Sequence, residues 1–289
     1  MAARVCVVGS VNADLTYTVD ALPQPGQTVL ASTLSTSPGG KGGNQAVAAA
    51  RAGAAVQLVA ALGTDAAAEQ LRAHLDTNGV GLAGVTHVTG PSGSAAIIVD
   101  SAGENCIVVA PGANAHLSLG SAAISSVIAD CDVVLIQLEI PIDTATAAAR
   151  VGRDAGAVVI VNASPAPHPY DVAALAELAD VVVVNETEAR GWLTDGRPPV
   201  PHLVITRGAH GASHITDGEQ SDVAAPAVEP VDTTGAGDVF AGVLAAHWPD
   251  GAEPALQRAC AAGALATLVP GAGDCAPHVD AIEDILERY

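Results

Sequence analysis

The chain has 289 residues, 49% of them hydrophobic, and carries 31 acidic against 11 basic side chains for a net charge of −20. That length and apolar content can bury a large core in one or two domains, while the acidic balance excludes nucleic acid or an anionic membrane as the main partner. No apolar run approaches the roughly 20 residues of a membrane span, and no basic-then-apolar signal pattern opens the sequence, so the expected location is the cytoplasm.

In chain order, short β-branched runs alternate with Ala-rich stretches, as parallel strands joined by crossover helices do. The expected sheet strands are Val5–Val8, Gln57–Ala60, Val133–Gln137, Val158–Val161, Val181–Val184 and Leu203–Thr206. Helices are predicted over Gln45–Ala52, Ala66–Asn78, Ser118–Ala129, Asp143–Ala155 and Ala173–Leu178, with Gly53 and Gly79 placed to cap the first two. Leu15–Asp20, Thr28–Thr36, Ala95–Asp100 and Asn105–Ala110 have a different texture, alternating or pairing like antiparallel strands, with Ser101 to Glu104 as a hairpin turn. They predict a small β accessory inserted into the first half of an α/β domain, from segments about 12–37 and 94–112, and no linker divides residues 1–289 elsewhere. From Thr194 to Pro201, three prolines exclude a helix. Beyond lies the apolar run Val239 to Trp248, in which Phe240, Leu244 and Trp248 share one helical phase and read as core.

Five cysteines, odd in number and without CxxC spacing, imply neither a disulfide framework nor a zinc site. Nine scattered histidines include no pair with metal-ligand spacing within one helix, and nearly all read as surface or capping residues.

The densest chemistry is Asp232-Thr233-Thr234-Gly235-Ala236-Gly237-Asp238, directly before the last apolar run. The first N–H groups of a helix lack intrahelical partners and, with the helix dipole, attract a multiply negative group; two glycines let the main chain come close. Asp238 in the first turn is placed to take a proton from an attacking hydroxyl. An ordinary loop and helix cap would use the same residue types. What favours a site is a second cluster, Pro38-Gly39-Gly40-Lys41-Gly42-Gly43-Asn44, which also opens an Ala-rich helix and holds the single lysine among the 11 basic residues. A compact ammonium between glycines suits phosphate, and the pair of motifs points to phosphoryl transfer to an alcohol. Such a reaction must exclude water, and the inserted β accessory invites a lid.

The sequence resembles the ribokinase-like, or PfkB, carbohydrate kinases, and within them the ribokinase branch. The likeness runs through Gly9 to Asp14, Gly39 to Ala46, Gly103-Glu104-Asn105, Pro111 to Asn114, Gln137-Leu138-Glu139, Asn185 to Glu188, Thr206-Arg207-Gly208 and Asp232 to Asp238. It implies a three-layer α/β/α fold with a mostly parallel central sheet and a β lid, and ATP-dependent phosphorylation of a sugar's primary hydroxyl, O5 in ribose. By the same resemblance Asp238 is the general base and Gly235, Ala236 and Gly237 form the anion hole. Asn12, Asp14, Gly40, Lys41, Gly42, Asn44 and Glu139 bind the sugar beside Asp238. For Lys41 the residues alone suggested phosphate and the family motif a place beside the sugar; both hold if it lies near the phosphoryl-accepting end. The implied nucleotide site comprises Asn185, the loop Thr206, Arg207, Gly208, Ala209, His210 and Gly211, with Gly237 and Cys260. Glu188 would help hold Mg²⁺ through water. A K⁺ site would use Asp232, Thr234 and main-chain oxygens of Ala266, Val269 and Gly271. There Cys275 replaces a hydroxyl with a thiol, a poor ligand for a hard cation, and Asp274 is a possible substitute.

The family usually has a helix where this chain has Thr194 to Pro201, and a polar residue near the base where it has Cys260. Exposed lid edges imply a homodimer through the lid. Rival readings are a kinase of another sugar or a nucleoside, and a non-catalytic sensor on the same fold.

Overall fold

The computed structural model describes residues 2–193 and 197–288. The predicted helix-free span begins with Thr194, Asp195 and Gly196, which lie outside the described residues; from Arg197 to Pro201 the chain is not helical.

Strands β1 (Arg4–Val8), β2 (Asn12–Thr18) and β3 (Thr33–Gly39) lead into helix α1 (Lys41–Arg51), followed by β4 (Ala55–Leu62), α2 (Ala66–Thr77) and β5 (Gly81–His87). The pair β6 (Gly93–Val99) and β7 (Asn105–Ala110) precedes α3 (Ala122–Ala129), β8 (Val133–Gln137), α4 (Ile142–Asp154), β9 (Val158–Asn162), α5 (Pro169–Ala176) and β10 (Val181–Asn185). The rest is β11 (His202–Thr206), β12 (Ala212–Thr216), β13 (Glu219–Val223), α6 (Ala236–His247), α7 (Ala252–Ala266) and α8 (Val279–Leu286).

A nine-stranded sheet runs β13-β12-β11-β10-β9-β8-β1-β4-β5, parallel from β5 to β11 and antiparallel over the last two pairings. Its central strands are apolar along their whole length because both faces are covered. One face packs Val5, Leu58, Leu135 and Val183 against α1, α2, α6, α7 and α8. The other packs Cys6, Val59, Ile136 and Val182 against α3, α4 and α5. Strand order turns back at β1, which lies between β4 and β8, so the crevice beyond the carboxyl ends of β1 and β8 is where a doubly wound sheet receives ligands. A second, four-stranded sheet in the order β3-β2-β6-β7 rises beside that crevice.

Several boundaries differ from expectation. The helix expected at Gln45 begins at Lys41, inside the glycine cluster, because Gly40 takes φ 85° and turns β3 directly into α1. The helix expected from Ser118 begins at Ala122, where Ser121 caps it by accepting the Ile124 N–H. Thr28–Thr36 is strand only from Thr33: β2 ends at Thr18, opposite Thr33, and before that only Ser32, among the described residues, reaches the strand, donating its N–H to the Thr18 carbonyl at 2.8 Å, so the ladder stops there. The same pairing carries β2 back to Asn12, opposite Gly39. Strand β5 escaped notice behind Gly81 and Gly84. The β12–β13 hairpin was signalled by Asp217-Gly218, both at positive φ (52° and 80°), the turn a two-residue hairpin favours. The antiparallel pairing of β11 with β12 brings together His202 and His214, whose rings stack at 5.2 Å with Nδ1 and Nε2 3.0 Å apart. His214 is thus buried rather than a surface residue.

Candidate active site

The crevice gathers groups that are far apart in sequence. Where β1 ends, the Ser10 hydroxyl donates to Glu139 Oε2 at 2.6 Å, and the backbone N–H of Lys41 reaches the same oxygen at 3.3 Å. Where β8 ends, Gln137 Oε1 accepts the Glu139 N–H, which fixes the backbone carrying that carboxylate. Asn114 completes the corner: its Oδ1 accepts the Val11 N–H at 3.0 Å while its Nδ2 donates to Asn12 Oδ1 at 2.8 Å. Asn114 stood in one of the motifs, yet nothing in the sequence assigned it the task of orienting Asn12.

Asp14, on β2, is 8% exposed, and its Oδ1 is buried with no hydrogen-bond partner among the described residues. Burial, with Glu139 and Asp238 nearby, pushes its carboxyl up to about 7. Gly39 allows this placement, since a Cβ there would meet Asp14 Oδ2 at 2.1 Å.

Asp238 sits in the first turn of α6, after Gly235, which takes the left-handed conformation at φ 81° and turns the loop into the helix. The carboxylate is buried and faces α1. Asn44 Nδ2 donates to Oδ2 at 3.0 Å, Gln45 Nε2 donates to Oδ1 at 3.1 Å, and the Lys41 ammonium stands 4.0 Å from Oδ1. Asp238 above all raises the Lys41 pKa, against the effect of burial, with Glu139 and Glu188 adding to it. The two glycine motifs thus meet at one carboxylate.

Two cavities adjoin it. One of about 150 Å³ is walled by Lys41, Asn185, Glu188, Gly235 and Asp238. The other, of about 460 Å³, is bounded by Gly208, Ala209, Gly211 and Cys260. Thr206 and Gly237 belong to both. Of the expected nucleotide residues, Arg207 and His210 are not in these walls: the Arg207 guanidinium pairs with Asp222 at 3.2 Å, and His210 is exposed. Phe240, expected only as core, is buried but forms part of the larger wall, with Val228 and Ala225 from the segment before α6. Burial pushes the Cys260 thiol up to about 12, so it presents a neutral S–H. Glu188 also serves locally, accepting the Asn185 N–H at 2.9 Å while Asn185 Oδ1 accepts the N–H groups of Thr187 and Glu188.

Behind the Gly235 turn, Asp232 Oδ1 accepts the Thr234 N–H and Oδ2 the Gly271 N–H, at 2.9 and 2.8 Å. Burial opposes ionisation of Asp232, but these bonds prevail and its pKa is lowered. The Ala266 carbonyl accepts the Val269 N–H. Cys275 is buried with its thiol 3.3 Å from the Ala272 carbonyl and 3.9 Å from that of Thr234. Burial, then Asp238, pushes this thiol up to about 11. Asp274 turns away from this pocket, its carboxylate largely exposed and 3.3 Å from Arg51. Among the described residues no cluster of three or more His, Cys, Asp or Glu is arranged to hold a metal ion, and no helix is long and apolar enough to cross a membrane.

The family model described as pfkB family carbohydrate kinase matches residues 2–279. Ribokinase of Bacillus subtilis (strain 168) is 35% identical over 292 residues, spanning 98% of this chain and 99% of that protein. Deoxyribokinase of Salmonella typhi is 29% identical over 306 residues, spanning 98% of each. The structure of Arabidopsis thaliana ribokinase complexed with ribose and ATP superposes with a TM-score of 0.88 at 30% identity, over 99% of both chains.

Proposed function

From the premise that the chain belongs to the pfkB family of carbohydrate kinases, we propose that it uses ATP to phosphorylate D-ribose at O5, giving ribose 5-phosphate. The observation that carries this reading is the meeting of Asp238, Lys41 and Asn44 at the start of α6, where two cavities share Thr206 and Gly237. In this reading the nucleotide lies in the larger cavity, the transferring phosphate in the smaller one, and the sugar beyond it on the side of Lys41 and Asp238.

In this proposal Asp238 takes the proton from O5 as the oxygen attacks the γ-phosphorus, and the backbone amides of Gly235, Ala236 and Gly237 stabilise the charge on the transferring group. Lys41 neutralises charge at the accepting end. Asn12, Asp14, Asn44 and Glu139 hold the remaining hydroxyls, and Gly40 and Gly42 let the start of α1 close against the backbone from Gly9 to Asn12, which sets these groups beside the sugar. The unpartnered Asp14 Oδ1 favours ribose over deoxyribose, because a buried carboxylate oxygen without a hydroxyl to accept from costs binding free energy. The apolar cavity takes the adenosine, with Asn185 and the loop from Thr206 to Gly211 toward the phosphates.

Glu188 in the smaller cavity fits a hydrated Mg²⁺, which would supply charge neutralisation on the nucleotide phosphates. K⁺ would be held beside Asp232 by Thr234 and the carbonyls of Ala266, Val269 and Gly271, whereas the neutral Cys275 thiol, which lies against the Thr234 carbonyl, adds little to such a site. The four-stranded sheet is read as a lid of one kinase domain. Its outer residues Leu34, Ile107, Val108 and Val109 are exposed, which supports a homodimer with the lids facing each other. Free cysteines throughout and the need for ATP suit the cytoplasm.

The deciding experiment measures ADP release with ribose, deoxyribose, fructose, adenosine and buffer alone, each with and without K⁺. Ribose should give the highest kcat/KM, with K⁺ raising it. Turnover with ribose no greater than with buffer, while another acceptor responds, would overturn the substrate assignment. A deoxyribose preference would support the second reading, favoured by the likeness to deoxyribokinase.

A further inference from the structure

Gln45 lies in α1 beside Asn44, is fully buried, and was not among the residues expected to bind or react. Its Nε2 donates both to Asp238 Oδ1 at 3.1 Å and to Asn162 Oδ1 at 3.0 Å. Asn162, the last residue of β9, in turn donates its Nδ2 to the Val183 carbonyl at 3.2 Å. The direction of this chain is set at both ends, since an ionised carboxylate and a backbone carbonyl only accept. Reversing either amide would set acceptor against acceptor. The oxygen of the same amide, Gln45 Oε1, is buried with no partner among the described residues. Leaving a buried amide oxygen unsatisfied is costly, so the fold sacrifices that bond in order to present Nε2 to Asp238.

The helices meet at the same residue. A Cβ on Gly242 of α6 would collide with the Gln45 backbone oxygen, so α1 and α6 pack tightly where Gln45 sends its side chain to the carboxylate. We infer that Gln45 is a positioning residue for the phosphoryl-transfer step: with Asn162 it ties the Asp238 carboxylate to the central sheet and aims it at the attacking hydroxyl. The inference rests on the proposed kinase reading and adds to it a residue that touches neither substrate.

The test is a two-by-two set of enzymes: wild type, Gln45→Met, Asp238→Asn and the double variant. Methionine keeps the length and volume of the side chain and removes the donor. If Gln45 works through Asp238, Gln45→Met lowers kcat by about 10-fold or more, with the sugar Kd from calorimetry changed less than about 3-fold. In the Asp238→Asn background the same substitution then changes kcat less than about 2-fold. Equal losses in both backgrounds, or a kcat unchanged by Gln45→Met in the otherwise native enzyme, would overturn the inference while leaving the kinase reading intact. Should the native protein turn over none of the acceptors, the kinase reading fails instead, and a crystal structure of Gln45→Met still decides: a carboxylate rotated away from its native position supports the tether, and an unmoved one refutes it.

Discussion

Around Asp14, Glu139 and Asp238 the protein packs carboxylates into a pocket where their partners are amides, one hydroxyl and one ammonium, while Asp14 Oδ1 has none among the described residues. Across Gly237 the chemistry changes: the larger cavity is walled mostly by alanine, glycine, proline and valine, with three threonines, the neutral Cys260 thiol and Phe240. Polar groups fixed in advance discriminate sharply, because each absent ligand hydroxyl leaves a buried atom unsatisfied; apolar walls discriminate gently, by shape. Substitutions on the first side should therefore be severe and specific, and those on the second mild.

The largest effect is expected for Asp238→Asn, which keeps the shape and removes the base. Turnover should fall by about 100-fold or more while sugar binding by calorimetry stays nearly intact. An unchanged rate would remove Asp238 from the mechanism.

Next is Asp14→Asn, expected to raise the ribose KM by about 10- to 100-fold, the scale of a lost hydrogen bond to a charged group. Its pH behaviour is more telling. The folded carboxyl titrates at about 7 against an ordinary value of 3.8. As pH rises from about 4 to 7, the unfolded chain gives up this proton and the folded protein keeps it, so the ligand-free protein loses stability across that window, with a limiting slope of about 1.4 kcal/mol per pH unit. Thermal melts from pH 5 to 8 should show this decline in the native protein and lose it in Asp14→Asn. If ribose hydroxyls donate to the ionised form, ribose KM should also fall as pH rises through 7 in the native enzyme alone.

On the apolar side, Phe240→Leu should raise the KM for ATP by less than about 10-fold, since a partial loss of buried apolar surface costs about 1 kcal/mol, and leave ribose KM unchanged. A larger effect on ribose than on ATP would show that the two cavities are not separate environments. Smallest of all, Cys275→Ser, placing a hydroxyl beside the Thr234 and Ala272 carbonyls, should lower the K⁺ concentration for half-activation by a few-fold, read from ADP release against added KCl.

These contrasts bear on what could be read in advance. The buried valine and isoleucine runs of β1, β8, β9 and β10 announce themselves because both faces are covered, and the two glycine motifs announce α1 and α6 because turns of that shape leave few residue types to choose from. Asp238, Lys41 and Asn44 came with the motifs. The larger cavity was legible only in part: the loop from Thr206 to Gly211 and Cys260 were expected there, whereas Ala225, Val228 and Phe240 look like any core residue until the fold sets them around a void. Asn114 and Gln45 stood in the motifs without an assigned task, and Asn162 stood in none. Each acts through a hydrogen bond spanning more than 100 positions in the chain, and no local pattern encodes such a partner.

The solitary lysine has a practical corollary. Lys41 presents the chain's single ε-amine, with 28% of its side chain accessible and its proton held tightly by Asp238. Acylating reagents should therefore modify this side chain slowly and only at alkaline pH. Protection by added ribose would turn that one covalent label into a direct gauge of occupancy, with no need for turnover.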